Sequence, residues 1–470
     1  MPTHISWGKA ASVITAVAAF FIIRLLEIPD MSTEAQGLLA VLVAAIILWL
    51  TAPIPIYLTG LLVAVIPWAI GLVPFNVAFS GFSSNTFWFL FAALGLAGCI
   101  ANSGVARRIA LWLISKVEPT FNRMMLVILI IMFLLGYILP LGVARVALML
   151  VIIVPLISLF NLPPKSNIGK AITIAVAMFG MATSWQILTG GAPGLILWGQ
   201  LADIGYEVSW LQWAAIMIVP TLIVLSIVFL AIKRLFPAEI DRAQGGRAKI
   251  KQELQQLGPM AITEKKALIL LGIIVLFWLT EFIHHISSDI VGIVGVFLFM
   301  LPVIGTTSFE HFVKKLIPWP MLLFVGTVIG LATMATNTGL GSYINQNLVA
   351  PLYSIADNSF MFVICTWLLN TVAVSSMLFM PSLPLFASPI TEAAVAAGVN
   401  PIIGALIYIS CFPQMMFYCA VPFFPLAFNY GTVEAKDWIK AGIIFFLAWP
   451  VAHLICMYTW YPLLELIGII

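Results

Sequence analysis

The chain has 470 residues, of which 63% are hydrophobic and only 8% are charged, and its formal net charge is +3. Ordinary soluble domains carry about 25% charged residues, and no soluble fold can bury so large an apolar fraction. The composition therefore excludes a soluble enzyme, a nucleic-acid-binding protein and a disordered chain. The apolar runs are continuous rather than alternating, which excludes a β-barrel and predicts an all-α polytopic membrane protein.

Nine uninterrupted apolar runs are long enough to cross a bilayer, which takes about 20 helical residues. The segment that follows the first run is charged and contains proline rather than a small-residue cleavage site, so we expect a retained span and not a signal peptide. The predicted spans are 10–26, 35–51, 54–72, 86–103, 208–232, 265–283, 288–304, 319–338 and 438–462.

Four further apolar stretches are each interrupted by helix-breaking residues. The interruptions fall at 139–142 in stretch 122–160, at 189–194 in 170–203, at 370–371 and again at Pro381 and Pro384 in 352–389, and at 419–422 in 400–431. We expect the first and third stretches to be re-entrant hairpins, and the second and fourth to cross once each.

Lysine and arginine positions set the orientation, because cytoplasmic loops carry the excess of basic residues. With a cytoplasmic N-terminus, eleven crossings and two re-entrant hairpins, all but two of the 21 basic residues fall on the inner side. The exceptions are Arg24 and Arg145. The sequence therefore predicts an external C-terminus.

One polar segment, residues 235–263, divides the chain into halves. Its composition favours a solvated cytoplasmic connector, and the alternative is a segment that binds anionic lipid or a partner. The predicted organisation is a first transmembrane helix (1–34), a first inverted repeat (35–234), the cytoplasmic linker (235–263) and a second inverted repeat (264–470).

The two halves resemble each other in sequence. Residues 95–104 read GLAGCIANSG and residues 330–339 read GLATMATNTG, with five identical pairs. Each half crosses five times, so the second is inverted relative to the first. Inverted repeats with helices interrupted at matching positions are typical of secondary transporters, in which the interruptions bind substrate and ions. The further matching pairs are Val143-Ala144 with Val372-Ala373, and Pro193 with Pro422.

Arg145 is the only charged residue that we place deep in the membrane, just after the first interruption. An intramembrane charge is costly and by default indicates function. We predict that Arg145 binds or gates an anionic substrate. The alternatives are that it braces the carbonyls of the interruption, or that it anchors at the outer headgroups.

No Asp or Glu falls at the centre of a span, which argues against a carboxylate proton relay. A Na⁺ site would then use backbone carbonyls and Ser, Thr or Asn oxygens. No metal-site spacing, ATP-binding motif or catalytic motif occurs, so the sequence predicts no metal, no other cofactor and no enzymatic activity. The candidate ion-binding residues are Thr189, Gly190, Asn370, Thr371, Ser375 and Ser376.

Three stretches resemble the divalent anion:sodium symporter family, which includes dicarboxylate, citrate and sulfate carriers. They are 101–110 (ANSGVARRIA), 317–320 (IPWP) and 430–442 (YGTVEAKDWIKAG), and the resemblance covers nearly the whole chain. It implies a homodimer in membrane lipid, with a scaffold domain and an elevator-type transport domain that carries the two hairpins. The hairpin tips would lie at 140–145 and 370–373.

In the family each tip carries a Ser-Asn-Thr signature, and neither signature is intact here. The loss of these side chains removes hydrogen bonds that a buried anion and Na⁺ would use, so Arg145 would supply positive charge in place of Na⁺. The predicted substrate-binding residues are Leu141, Gly142, Val143, Ala144, Arg145, Gly191, Ala192, Pro193, Asn370, Thr371, Val372, Ala373, Val421 and Pro422.

These observations predict a secondary active transporter of small organic anions, most simply di- or tricarboxylates, in the plasma or bacterial inner membrane. The mechanism would be alternating access by elevator motion, and coupling would be exchange or a modified cation symport. One alternative is a carrier of sulfate, another sulfur oxyanion or a less polar monoanion. The other is a receptor or structural protein that keeps the fold but does not transport.

Overall fold

The chain folds into α-helices joined by short turns and loops. The computed structural model describes residues 7–118, 120–139, 141–157, 160, 162–241, 246–417, 421 and 424–470, and no β-strand occurs within these ranges. Helices satisfy their own backbone hydrogen bonds, as a chain in lipid requires. The predicted all-α membrane fold is confirmed.

The first half of the chain contains the helices before the linker. They are α1 (Trp7–Leu25), α2 (Thr33–Thr51), α3 (Ile56–Ala69), α4 (Phe75–Ala78), α5 (Asn85–Ser103), α6 (Val105–Ser115), α7 (Phe121–Ile138), α8 (Gly142–Ile157), α9 (Asn167–Ala182), α10 (Ala192–Asp203) and α11 (Trp210–Leu235). Short 3-10 turns lie at Ser80–Ser83 and Leu188–Gly190.

The linker helix α12 (Gly246–Gln256) precedes the second half. The helices that follow are α13 (Ile262–Leu279), α14 (Glu281–His284), α15 (Ser288–Leu298), α16 (Phe309–His311), α17 (Trp319–Thr338), α18 (Leu340–Ile344), α19 (Ala350–Tyr353), α20 (Ser359–Ser376), α21 (Phe379–Ala396), α22 (Pro401–Ser410), α23 (Phe424–Phe428), α24 (Ala435–Met457) and α25 (Trp460–Leu466). A 3-10 turn lies at Pro413–Met416, and π-helical turns lie at Phe312–Leu316 and Asn345–Val349.

Within the described ranges, eight helices are long and apolar enough to cross a membrane. They are α1, α2, α5, α7, α11, α17, α20 and α24. Shorter apolar helices occur at α3, α8, α9, α15 and α22. These helices lie within or overlap the predicted spans and interrupted stretches. The number of crossings and the side of each terminus remain predictions.

The order of elements in the first half recurs in the second. A long helix (α5 or α17) is followed by a helical hairpin (α7–α8 or α20–α21), a helix that stops and restarts (α9–α10 or α22–α23), and a final long helix (α11 or α24). The matched glycines that follow the long helices, Gly104 and Gly339, have φ of +83° and +81°. Both helices end in the left-handed conformation that favours glycine, so the two similar sequences also have the same local backbone structure at this position.

The chain forms two compact units. Unit 1 contains residues 1–90, 195–208 and 318–412, and unit 2 contains 91–194, 209–317 and 413–470. Each unit therefore combines segments from both halves of the sequence. The repeat boundaries follow the chain order and remain predictions.

In unit 1, α17 packs closely against neighbouring backbone through glycines. A Cβ atom on Gly81 would lie 2.0 Å from the Gly326 carbonyl oxygen and 2.6 Å from the Gly330 amide nitrogen. A Cβ on Gly60 would lie 2.2 Å from the Phe324 ring. These contacts require glycine because each would otherwise place a side-chain atom inside another group.

In unit 2, α9 is the buried central helix, with every residue from Ala171 to Ala182 buried. The Ser166 hydroxyl accepts a hydrogen bond from the Gly169 amide at 3.1 Å and caps its N-terminus. The Glu239 carboxylate accepts hydrogen bonds from the amides of Asn167 at 2.5 Å and Ile168 at 3.2 Å. A negative charge at this end is favourable because a helix N-terminus carries partial positive charge.

The linker is held more closely than the solvated connector predicted from its composition. Arg108 of α6 forms an ion pair with Glu264 at 2.9 Å. It also donates hydrogen bonds to the carbonyls of Leu257, Gly258 and Pro259 at 3.3, 2.9 and 3.4 Å. One arginine thus fixes the end of the linker to the start of α13.

Candidate functional site

The first hairpin turns where the sequence predicts a tip. Helix α7 ends at Ile138 and α8 begins at Gly142. Leu141, between them, has φ of +118°, which non-glycine residues rarely adopt. Such strain persists only where the surrounding structure imposes it, and it clusters at functional sites. The predicted residues Gly142, Val143 and Ala144 form the first turn of α8, where amide groups have no acceptor within the helix.

The second interruption lies between α9 and α10, at residues 183–191. Two tryptophans of α11 hold this segment, since Trp213 donates from its indole to the Trp185 carbonyl at 3.0 Å and Trp210 donates to the Thr189 hydroxyl at 3.2 Å. A Cβ on Gly190 would lie 2.4 Å from the Ser184 carbonyl oxygen. The interruption is therefore a folded-back loop that only glycine at 190 permits.

Arg145 connects the two interruptions. Its side chain is fully buried, at 0% exposure. Nη1 donates to the Leu139 carbonyl at 2.8 Å, and Nη2 donates to the Ser184 hydroxyl at 2.9 Å and to the Gly180 carbonyl at 3.5 Å. No carboxylate within the described residues forms an ion pair with it. The geometry is that of the bracing alternative considered for Arg145.

Gln186 is a second buried polar residue at this place, and it was not among the residues predicted from the sequence. Its side chain is 0% exposed. Nε2 donates to the Phe133 carbonyl of α7 at 2.8 Å, whereas Oε1 has no partner within the described ranges. Gly136 makes room for it, because a Cβ there would lie 2.1 Å from Nε2. The available signal was a carboxamide inside an otherwise apolar broken span.

The remaining predicted residues of the first half lie beside this cluster. Gly191 and Pro193 are half-buried and Ala192 is buried, and α10 begins at Ala192. A Cβ on Gly191 would lie 4.0 Å from the Ser184 Cβ. Arg145 and Gly191, one predicted residue from each first-half interruption, therefore both lie beside Ser184.

These helix ends have opposite electrostatic character. The N-termini of α8 and α10 carry partial positive charge, which favours an anion. The C-termini of α7 and α9 present carbonyls and partial negative charge, and Arg145 donates a hydrogen bond to one carbonyl at each of them. This part of the chain can therefore hold an anion at the helix N-termini beside a built-in cation at the C-termini.

The second hairpin differs from its predicted form. Asn370, Thr371, Val372 and Ala373 were expected at the tip, but they lie within α20, and the chain turns at 377–378. Pro381 explains the position, because proline is tolerated in the first turn of a helix but clashes with the carbonyl four residues earlier when a helix continues through it. The second tip therefore follows Ser375 and Ser376, which are exposed.

The side chains of this segment are largely satisfied by the helix itself. Thr371 donates to the Trp367 carbonyl at 2.7 Å and Ser376 to the Val372 carbonyl at 2.9 Å. Asn370 is fully buried and donates to the Tyr408 carbonyl of α22 at 2.8 Å. Asn370 thus joins the hairpin to α22 rather than forming the tip.

The last two predicted residues, Val421 and Pro422, belong to the interruption predicted at 419–422. Val421 is buried, and its carbonyl accepts a hydrogen bond from the Phe424 amide at 3.0 Å. Pro422 lies outside the described residues. The substrate and ion roles of all these positions remain predictions.

Comparisons with known proteins agree over almost the full chain. A family described as the sodium:sulfate symporter transmembrane region matches residues 8–467. A membrane protein of Cupriavidus necator is 30% identical over 73% of the chain and 69% of its own length. An uncharacterized transporter of Haemophilus influenzae is 26% identical over 98% of the chain and 99% of its own length. A sodium-dependent dicarboxylate transporter of Staphylococcus aureus is 24% identical over 99% of the chain and 93% of its own length.

Proposed function

The chain belongs to the divalent anion:sodium symporter family, whose sodium:sulfate symporter transmembrane region spans residues 8–467, and from this premise we propose that it transports small organic anions. The protein is an integral membrane transporter of the cell membrane and not an enzyme. Its proposed substrates are di- or tricarboxylates, which it carries by secondary active transport.

The observation that carries the proposal is the full burial of Arg145 beside the first hairpin tip. A buried charge is expensive unless it is used, and it gives this region a positive potential. The N-termini of α8 and α10 add partial positive charge. A small anion with two or more carboxylates matches such a set of fixed donors better than a neutral solute does.

The choice of carboxylates over sulfate follows the relatives. The named relative of Staphylococcus aureus is a sodium-dependent dicarboxylate transporter. Sulfate or another sulfur oxyanion is the second candidate, supported by the description of the family. A protein that keeps the fold but does not transport is the third, and it predicts no uptake of any of these anions.

We further propose an elevator cycle in a homodimer, with the two hairpins moving relative to a fixed scaffold. Interrupted helices in matching positions of two inverted halves support alternating access around a site at mid-membrane. Na⁺ is the candidate coupling ion, since the relative is sodium-dependent. Exchange of internal for external anion is the alternative mode of coupling.

Uptake into liposomes tests the proposal. The purified chain is reconstituted and given labelled succinate, malate, citrate and sulfate, with and without a Na⁺ gradient and with and without the same anion inside. We expect uptake of at least one carboxylate, competed by unlabelled carboxylate. Uptake of sulfate alone would favour the second candidate, and absence of all uptake would overturn the proposal.

A further inference from the structure

We infer that the guanidinium of Arg145 occupies the position of a coupling cation in the first half of the transporter and acts as a tethered counter-ion. The inference rests on the proposed function and concerns the coupling at that same site. Arg145 is then a positioning residue, which holds both interruptions in the form that receives the anion and replaces one ion that would otherwise bind from solution.

The atoms around the guanidinium are those of an alkali-cation site. Two are main-chain carbonyl oxygens, of Leu139 at 2.8 Å and Gly180 at 3.5 Å, and one is the hydroxyl oxygen of Ser184 at 2.9 Å. Carbonyls at helix C-terminal ends beside a broken helix are the ligands that hold Na⁺ in transporters with interrupted helices. Here the terminal nitrogens of Arg145 donate hydrogen bonds to those oxygens.

The charge balance supports the same conclusion. A buried cation normally pairs with a carboxylate, and within the described residues Arg145 has none. The compensating charge is the partial negative charge of two helix C-termini, those of α7 and α9. Such an environment favours any monovalent cation, so it would bind Na⁺ if the side chain were removed.

The contacts also separate this role from direct binding of the substrate. Both terminal nitrogens of Arg145 are engaged by protein oxygens, and the side chain is 0% exposed. A bidentate clamp on a carboxylate needs two free, parallel donors. The three hydrogen bonds leave two N–H groups, that of Nε and one of Nη1, without a partner within the described ranges, but the buried side chain exposes neither of them to a substrate carboxylate.

The test removes the tethered cation and supplies a free one. Arg145→Ala is reconstituted, and anion uptake is measured as Na⁺ replaces choline, and separately as millimolar guanidinium is added. We expect uptake without either cation to fall about a hundredfold, as for a misplaced binding group. We expect Na⁺ or guanidinium to restore it, and the order of the reaction in Na⁺ to rise by one relative to the wild type.

A second readout does not depend on transport. The unfolding temperature of Arg145→Ala in detergent should rise with Na⁺ or millimolar guanidinium, because a cation that binds only the folded state stabilises it. The wild type should not respond to guanidinium. Arg123→Ala is the matched control, since Arg123 lies in the same hairpin and forms an exposed pair with Glu118 at 2.6 Å.

The outcomes separate the two proposals. No uptake by the wild type overturns the proposed function. The tethered counter-ion is overturned by a different result: the wild type transports, and a folded Arg145→Ala variant has the same reaction order in Na⁺ and the same response to guanidinium as the wild type. If Arg145→Ala does not accumulate folded, Arg145→Lys replaces it. Its ammonium should keep the wild-type order in Na⁺, and a rise by one would overturn the inference.

Discussion

Gly136 is the residue whose replacement tests the packing of the first interruption most directly. A Cβ at this position would lie 2.1 Å from Gln186 Nε2 and 3.5 Å from the Thr183 carbonyl oxygen. Gly136→Ala must therefore displace Gln186 from the Phe133 carbonyl. We expect a loss of about 1–3 kcal/mol in the free energy of unfolding, typical of overpacking, and slower anion uptake.

Gly272→Ala is the control for that substitution. Gly272 lies within α13, and a Cβ there would meet nothing within 4 Å. Alanine in an open helical position stabilises by about 0.4–1 kcal/mol, so the two variants should change the unfolding temperature in opposite directions. A Gly136→Ala variant as stable and active as the wild type would show that Gln186 does not hold the interruption.

At this scale the sequence identified the charge but not its partners. Arg145 stood out because charge is rare in a span, whereas Ser184 and Gln186 were overlooked. Nothing in the sequence states which carbonyl a buried donor will reach, since the Arg145 contact to the Gly180 carbonyl joins residues 35 apart. The bracing geometry depends on how α8 packs against α9, which is a tertiary feature.

The helical hairpins show why the elements were predicted unequally well. The first tip was predicted at 140–145, and in the structure α7 ends at Ile138 and α8 begins at Gly142, so the break between the helices falls at the start of the predicted segment. The second was placed at Asn370-Thr371, whose polar side chains instead bond within or beside a continuous helix. Asn and Thr only weaken a helix, whereas Pro381 lies in the first turn of α21, where proline is tolerated, and was the better indicator. The interruption also predicted at Pro384 was wrong, because Pro384 lies inside α21.

The linker provides a prediction for an element held by one side chain. Arg108 contacts Glu264 and three linker carbonyls, at 257, 258 and 259. Arg108→Ala should release residues 246–261 and make them about tenfold more sensitive to limited proteolysis. A fall of about 1.4 kcal/mol in the free energy of local opening raises the population of the open form tenfold. Arg107→Ala, at the exposed neighbour, should leave the cleavage rate unchanged.

The same ion pair should make the linker sensitive to acid. The hydrogen bond from Arg108 holds the pKa of Glu264, in the first turn of α13, below its usual value. A carboxyl group with a lowered pKa in the folded state adds stability above its unfolded pKa, about 4.3, and loses it as the pH falls through the folded value. Glu264→Gln should remove this dependence from an unfolding titration between about pH 6 and pH 3; an unchanged acid dependence would contradict the assignment.

Across the whole molecule, composition and the continuous apolar runs were enough to predict an all-α membrane protein, the internal repeat indicated a transporter, and the resemblance of three stretches indicated the family. The matched glycines 104 and 339 even end equivalent helices in the same conformation. The compact units were not predictable, because each is assembled from segments of both halves. Contacts between distant segments depend on packing surfaces that the order of helices along the chain does not specify.

The orientation of the chain in the membrane gives the prediction at this scale. Ala396 and Gln252 are both exposed, and the distribution of basic residues places the first outside and the second inside. In intact cells, a membrane-impermeant thiol reagent should label Ala396→Cys and not Gln252→Cys. Permeabilised cells should label both. The four native cysteines that the structure describes, Cys99, Cys365, Cys411 and Cys456, are buried and give a low background.

The unpaired charge of Arg145 also has an electrical consequence. In an elevator cycle the first hairpin moves through the membrane field and takes this permanent positive charge with it. One elementary charge crossing the full field changes the free energy by about 2.3 kcal/mol per 100 mV. Membrane voltage would thus act on the movement of the empty carrier as well as on that of the loaded carrier. The resting potential of the cell would therefore shift the equilibrium of the empty carrier between its inward-facing and outward-facing states.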